Sequence, residues 1–183
     1  MTELAALVAR RLCHDLAGPT GAIATVVEMM QDGVADPELN SLLADSSATL
    51  LATLRLHRFV LGGGDSSDYR ACFAAWIATR EGIEPHWAGD HQLAPAAAAL
   101  LLGLAMIAAE AAQGAATLTV GETTATITAA RLNLDPQIAS ALAGNAATTS
   151  KAALAAVLYL AAAGQGRRLV VDAGPARLEL TIA

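Results

Sequence analysis

The densest chemistry in this sequence lies in Arg10-Arg11-Leu12-Cys13-His14-Asp15-Leu16-Ala17-Gly18-Pro19. Near pH 7 a neutral imidazole keeps one ring nitrogen with a free lone pair, which is able to attack phosphorus. On a helix, His14 lies about 200° from Leu12 and so opposite the apolar stripe of Leu12, Leu16, Ile23, Val27 and Met30. The face it shares carries Arg10 four residues earlier and Ala17, Gly18 and Gly21 further on. These small residues clear a flat approach to the ring for a protein partner. Arg10 is suited to hydrogen-bond a phosphoryl group, and Arg11 adds positive field nearby. Asp15 points about 100° away, a position for tuning the field or the ring's tautomer rather than sharing its proton. Periodicity alone leaves an ordinary exposed histidine as an open alternative.

The other candidate ligands and nucleophiles offer less. His57 falls in the apolar stripe of a second helix, with Leu39, Leu43, Leu50, Leu54 and Leu61, which points to packing. His86 and His91 flank an expected strand, and Asp90-His91 supplies too few ligands for zinc. Cys13 and Cys72 have neither metal-ligand spacing nor a disulfide framework, as expected of a reducing compartment. No metal site and no bound cofactor are expected.

The elements that must position His14 follow from helix signals. A first helix runs from Thr2 to Gln31 or Asp32 and is closed by Gly33, with Gly18-Pro19 predicting a kink. Asp36-Pro37-Glu38 starts a second helix, which ends near Leu61 at Gly62-Gly63-Gly64. Together they make an antiparallel hairpin whose apolar stripes need a second copy, giving a four-helix bundle and a homodimer. Asp65-Ser66-Ser67-Asp68 reads as a linker. Beyond it the pattern predicts a helix from Tyr69 to about Arg80, a strand at Ile83–Ala88 and a helix at Pro95–Ala112. A hairpin at Leu118–Val120 and Thr124–Ala129 follows, then helices at Pro136–Ala143 and Ser150–Ala163. A last hairpin joins Leu169–Asp172 to Arg177–Ile182. The fold class is α+β, with a helical-hairpin domain at 1–64 and an α/β sandwich at 65–183.

Composition sets the outer limits. Of 183 residues, 55% are hydrophobic but only 3% aromatic, so the core is built from Ala, Leu and Val in close-packed helices. A formal net charge of −6 argues against nonspecific nucleic-acid binding. Leu93–Ala109 carries no charge, but it is alanine-rich, holds Pro95 near its start and lies between Asp90 and Glu110, so it reads as a buried helix rather than a membrane span. No signal peptide is recognisable before Arg10 and Arg11, and a cytoplasmic location is expected.

His14-Asp15-x-x-x-Pro19 resembles the H-[D/E]-x-x-x-P phosphoacceptor pattern of histidine-kinase dimerisation helices. The longer string Arg11-Leu12-Cys13-His14-Asp15-Leu16 with Gly18-Pro19-x-Gly21-Ala22-Ile23 resembles the ChpT-type histidine phosphotransferases of alphaproteobacteria. The likeness extends through Arg55-Leu56 and Arg58-Phe59 and over the two-domain layout, while Ala24-Thr25 departs from members that carry an asparagine there. The resemblance implies a dimeric hairpin followed by an ATPase-like domain that has lost nucleotide binding. It implies His14 as phosphoacceptor, serving receiver domains of a hybrid histidine kinase and of response regulators, with Mg²⁺ held by the receiver. The sequence agrees with the loss: there is no D-x-G-x-G, and the helix around Leu100–Gln113 offers Glu110 but no asparagine. Gly62-Gly63-Gly64 and Gly164-Gln165-Gly166 read as helix terminators. From another class, a non-catalytic dimer that sequesters a response regulator remains the alternative.

Overall fold

Thirty residues rich in Ala, Leu and Val propagate one helix, α1 (Thr2–Gln31), which continues through Pro19. The computed structural model describes residues 2–34, 36–63, 68–90 and 92–183, so His91 and most of the expected linker at 65–68 lie outside the described residues. At the head of α2 (Pro37–Arg58), the Asp36 carboxylate accepts from the Glu38 N–H at 2.9 Å, and Pro37 occupies a position where no donor is needed. A π-helical turn, Phe59–Gly63, follows, and Gly62 reverses it at φ 99°, a conformation that costs a glycine nothing. The two helices pack as a hairpin.

The rest of the chain lays helices on one face of a sheet. Its elements are α3 (Tyr69–Ile77), β1 (Ile83–Trp87), α4 (Pro95–Ala111), β2 (Ala116–Val120) and β3 (Thr124–Ala129). They continue with α5 (Pro136–Leu142), α6 (Ser150–Gly164), β4 (Leu169–Ala173) and β5 (Arg177–Ile182). The five strands run in the order β1-β2-β3-β5-β4, with β1 parallel to β2 across the α4 crossover and every other pair antiparallel. Period-two alternation turns Leu118, Val120, Ala125, Ile127, Leu178, Leu180 and Ile182 to the helix side, where all are buried. Registration puts Ile127 opposite both Leu118 and Leu178, so the apolar row is continuous across three strands.

The helix α4 is apolar all round because it is covered all round: the sheet lies on one side, α6 and the π turn on the other. Any Cβ at Gly103 would run into Leu158 and Val60, so glycine is what lets these backbones close up. The uncharged stretch is thus the centre of the core. No helix among the described residues is long and apolar enough to cross a membrane. Ala52, Leu56, Phe59 and Val60 join the same apolar cluster, so the base of the hairpin is packed into the sandwich core.

The stripe expected on α1 is not uniformly covered. Leu12, Leu16 and Ile23 are half-buried, whereas Val27 and Met30 are exposed. They belong to a group with Met29, Val34, Leu42, Leu51 and Leu54 that leaves the hairpin's outer part apolar and open. Contact with the sandwich explains the difference: α6 packs on α1 and α3 on α2, covering only part of the hairpin.

Candidate functional site

A single carboxylate organises the surroundings of His14. Asp15 and Arg11 lie one helical turn apart on α1, and Arg11 Nε donates to Asp15 Oδ2 at 2.8 Å. From α2, His57 Nε2 lies 3.1 Å from the same oxygen. The other oxygen, Oδ1, is 3.3 Å from His14 Nδ1. Three nitrogens from two helices thus converge on one acid group.

The guanidinium of Arg11 reaches further. It ion-pairs with Glu110 of α4 and approaches the Lys151 carbonyl of α6 at 3.3 Å, so one side chain ties α1 to two helices of the sandwich. Only a planar fork of donors can serve such divergent acceptors together. Burial works against its charge, but Glu110 and then Asp15 outweigh that cost and raise its pKa above the ordinary guanidinium value. For Asp15, burial favours the neutral acid, yet hydrogen bonds from His57 and Arg11, with the Arg11 charge, hold the carboxyl far below the usual carboxylate range.

A carboxylate offers only lone pairs, so it is the acceptor for the ring nitrogens that face it. With His14 Nδ1 turned to Asp15, Nε2 is the ring nitrogen left open to a partner. The His14 side chain is 86% exposed, so the ring lies in solvent beside an open surface.

The sequence-chosen residues take different positions around it. Arg10, Ala17, Gly18 and Gly21 lie exposed on α1, and a Cβ at Gly18 or Gly21 would meet nothing within 4 Å. Arg11 is buried against Asp15 and Glu110, so the field it adds at His14 comes from a committed ion pair. On the other side of His14 opens a cleft of about 400 Å³, lined by Arg11, Asp15, Arg80, Glu110 and Lys151 among others. Among the described residues, no group of three His, Cys, Asp or Glu side chains is placed to hold a metal.

His57 is the residue that sequence reasoning assigned to packing and the structure brings to the site. It is buried, as the apolar stripe implied, but its ring reaches Asp15 across 42 residues of chain. Glu110 carried a readable signal, since a lone acid in a long apolar helix demands a partner. No local signal named Arg11 as that partner.

A family model for the histidine phosphotransferase C-terminal domain matches residues 68–177. This chain belongs to that histidine phosphotransferase family. The protein phosphotransferase ChpT of Brucella abortus (strain 2308) is 34% identical over 65 residues, covering 36% of this chain and 31% of that protein. The match thus spans about a third of that relative's length. A solved bacterial phosphotransferase shares this fold over 100% of this chain and 96% of its own, with a TM-score of 0.83 and 22% identity. A histidine kinase domain from Erythrobacter litoralis EL346 aligns over 100% of this chain and 93% of its own, at a TM-score of 0.43 and 14% identity.

The depressed Asp15 carboxyl makes a signed prediction. Because its folded pKa lies below the unfolded one, the stability it contributes is complete above the ordinary carboxylate range and fades as pH falls toward the folded value. Asp15→Asn should therefore cost about 1–3 kcal/mol near neutrality. Urea unfolding from pH 7 down to pH 3 should show the gap from wild type narrowing, and a gap independent of pH would contradict the assignment.

Proposed function

We propose that this chain is a histidine phosphotransferase of a phosphorelay, carrying a phosphoryl group on His14 between receiver-domain aspartates. The observation that carries the reading is the pairing at His14: Nδ1 set against Asp15, and a ring 86% exposed. In the forward step His14 Nε2 attacks the phosphorus of a receiver's aspartyl phosphate in line. The new N–P bond forms as the P–O bond to aspartate breaks, and the aspartate leaves as a carboxylate. A second receiver reverses the step with its own aspartate. Mg²⁺ belongs to the receiver's acidic site, where it neutralises the moving charge.

The contribution of this chain is positioning. Asp15 fixes the ring's tautomer, and Arg11 holds Asp15. Arg10 meets phosphoryl oxygens, and the bare surface at Ala17, Gly18 and Gly21 lets the receiver approach. Residues 1–64 form the phosphotransfer hairpin and 65–183 an ATPase-like domain without nucleotide binding. Support for that loss lies in the absent D-x-G-x-G and in Glu110, which faces Arg11 from α4.

The hairpin forms a four-helix bundle with a second copy in a cytoplasmic homodimer. Support comes from the outer hairpin, where the large apolar side chains Val27, Met30, Val34, Leu42, Leu51 and Leu54 are exposed. Light scattering should give twice the chain mass of 18.5 kDa, falling to the chain mass in a Leu54→Glu variant; a wild-type monomer would contradict the dimer.

Mixing the protein with a ³²P-labelled phosphoreceiver should load it with acid-labile phosphate, and His14→Ala should abolish loading. Label that persists in His14→Ala, or never reaches wild type, defeats the proposal. Incubation with labelled ATP alone should leave the protein unlabelled.

A further inference from the structure

We propose that His57 is a positioning residue for phosphotransfer, acting through Asp15 to hold His14 in the tautomer that presents Nε2. The inference deepens the proposed function and rests on it for its kinetic consequence, while its structural content stands on the geometry alone.

His57 is 3% exposed and sits on α2, the helix opposite His14 in the hairpin. Around it are Val8, Leu12, Leu61 and Leu154, with Arg11, all lining one small gap. A polar ring in such surroundings is retained at a cost of a few kcal/mol unless its N–H groups find acceptors. Packing alone would be met better by Leu or Phe. The polar atom that faces out of the apolar surroundings is Nε2, and 3.1 Å away stands Asp15 Oδ2.

Asp15 has two jobs at two oxygens. Oδ2 takes Arg11 and His57, and Oδ1 is left for His14. With Arg11 alone, the carboxylate can pivot about a single donor, because both partners lie on the same helix. A second donor arriving from α2 fixes the plane of the carboxylate and hence the direction of Oδ1. At 3.3 Å the contact to His14 Nδ1 is long, so a small rotation of Asp15 breaks it. A freed His14 would divide its proton between both nitrogens, and the fraction with a lone pair on Nε2 would fall.

The test separates hydrogen bonding from packing. His57→Leu keeps the apolar volume and removes the donor, while His57→Gln puts an amide N–H near the Nε2 position. Thermal melts establish that each variant folds. Long-range ¹H–¹⁵N spectra of histidine-labelled protein then read the tautomers directly. In wild type, His57 Nε2 and His14 Nδ1 should both be protonated. In His57→Leu the His14 signals should move toward a tautomer mixture, with loading from a phosphoreceiver slowed about tenfold. His57→Gln should restore the His14 signals and most of the rate.

Three results would overturn the proposal: unchanged His14 signals in His57→Leu, a His57→Gln variant as slow as His57→Leu, or a wild-type His57 whose Nε2 lacks a proton. If His57→Leu does not fold, the wild-type and His57→Gln spectra still decide. If wild type itself never loads phosphate, the proposed function fails, and the tautomer spectra judge His57 separately.

Discussion

The Asp15 carboxylate is the point on which the arrangement depends. It faces the His14 ring, is braced by a buried histidine from the second helix, and is fixed by an arginine that is itself fixed by Glu110. Three side chains meet this acid and Glu110 meets one of them, a largely buried group that would be expensive if any member were unmatched. Here Arg11 stands between two carboxylates and His57 closes on one of them, so removing one member leaves another buried and unpaired. The site is therefore tied to the fold itself.

The route of that tie matters. Arg11 leaves the hairpin and enters the sandwich at the C-terminal end of α4 and the start of α6. The core continues the same junction with Leu56, Phe59 and Val60, packed with Leu104 and Leu158 in one apolar cluster. The orientation of the His14 ring is thus referred to the whole molecule, while the ring stays on the outside. Rigid support beneath an exposed ring suits the proposed phosphotransfer, whose main catalytic requirement is alignment.

Much of the fold was legible because its signals are local. Asp36-Pro37, Asp135-Pro136 and Pro95 mark helix starts, and Thr124–Ala129 and Arg177–Ile182 alternate with period two, so these elements stand where periodicity puts them. Less legible was what crosses the chain. That β1 runs parallel to β2, and that β3 rather than β4 neighbours β5's other edge, depends on packing over α4 and not on any one strand. The site divides in the same way. The exposure of His14 was readable from helical angle, whereas the contacts of His57 and Glu110 span 42 and 99 residues. Periodicity placed His57 correctly on a buried face but says nothing of what a polar ring meets there. Arg11 was legible as a nearby charge and not as a buried one, because one-turn spacing does not reveal which side of a helix a neighbour will cover.

In the proposed transfer one atom carries the phosphoryl group, and phosphorus itself can report it. Protein labelled with ¹⁵N-histidine and loaded from a phosphoreceiver should show a single ³¹P–¹⁵N coupling, to Nε2 of His14, with Nδ1 of the same ring still protonated against Asp15. Coupling to Nδ1, or to any other histidine, would contradict it.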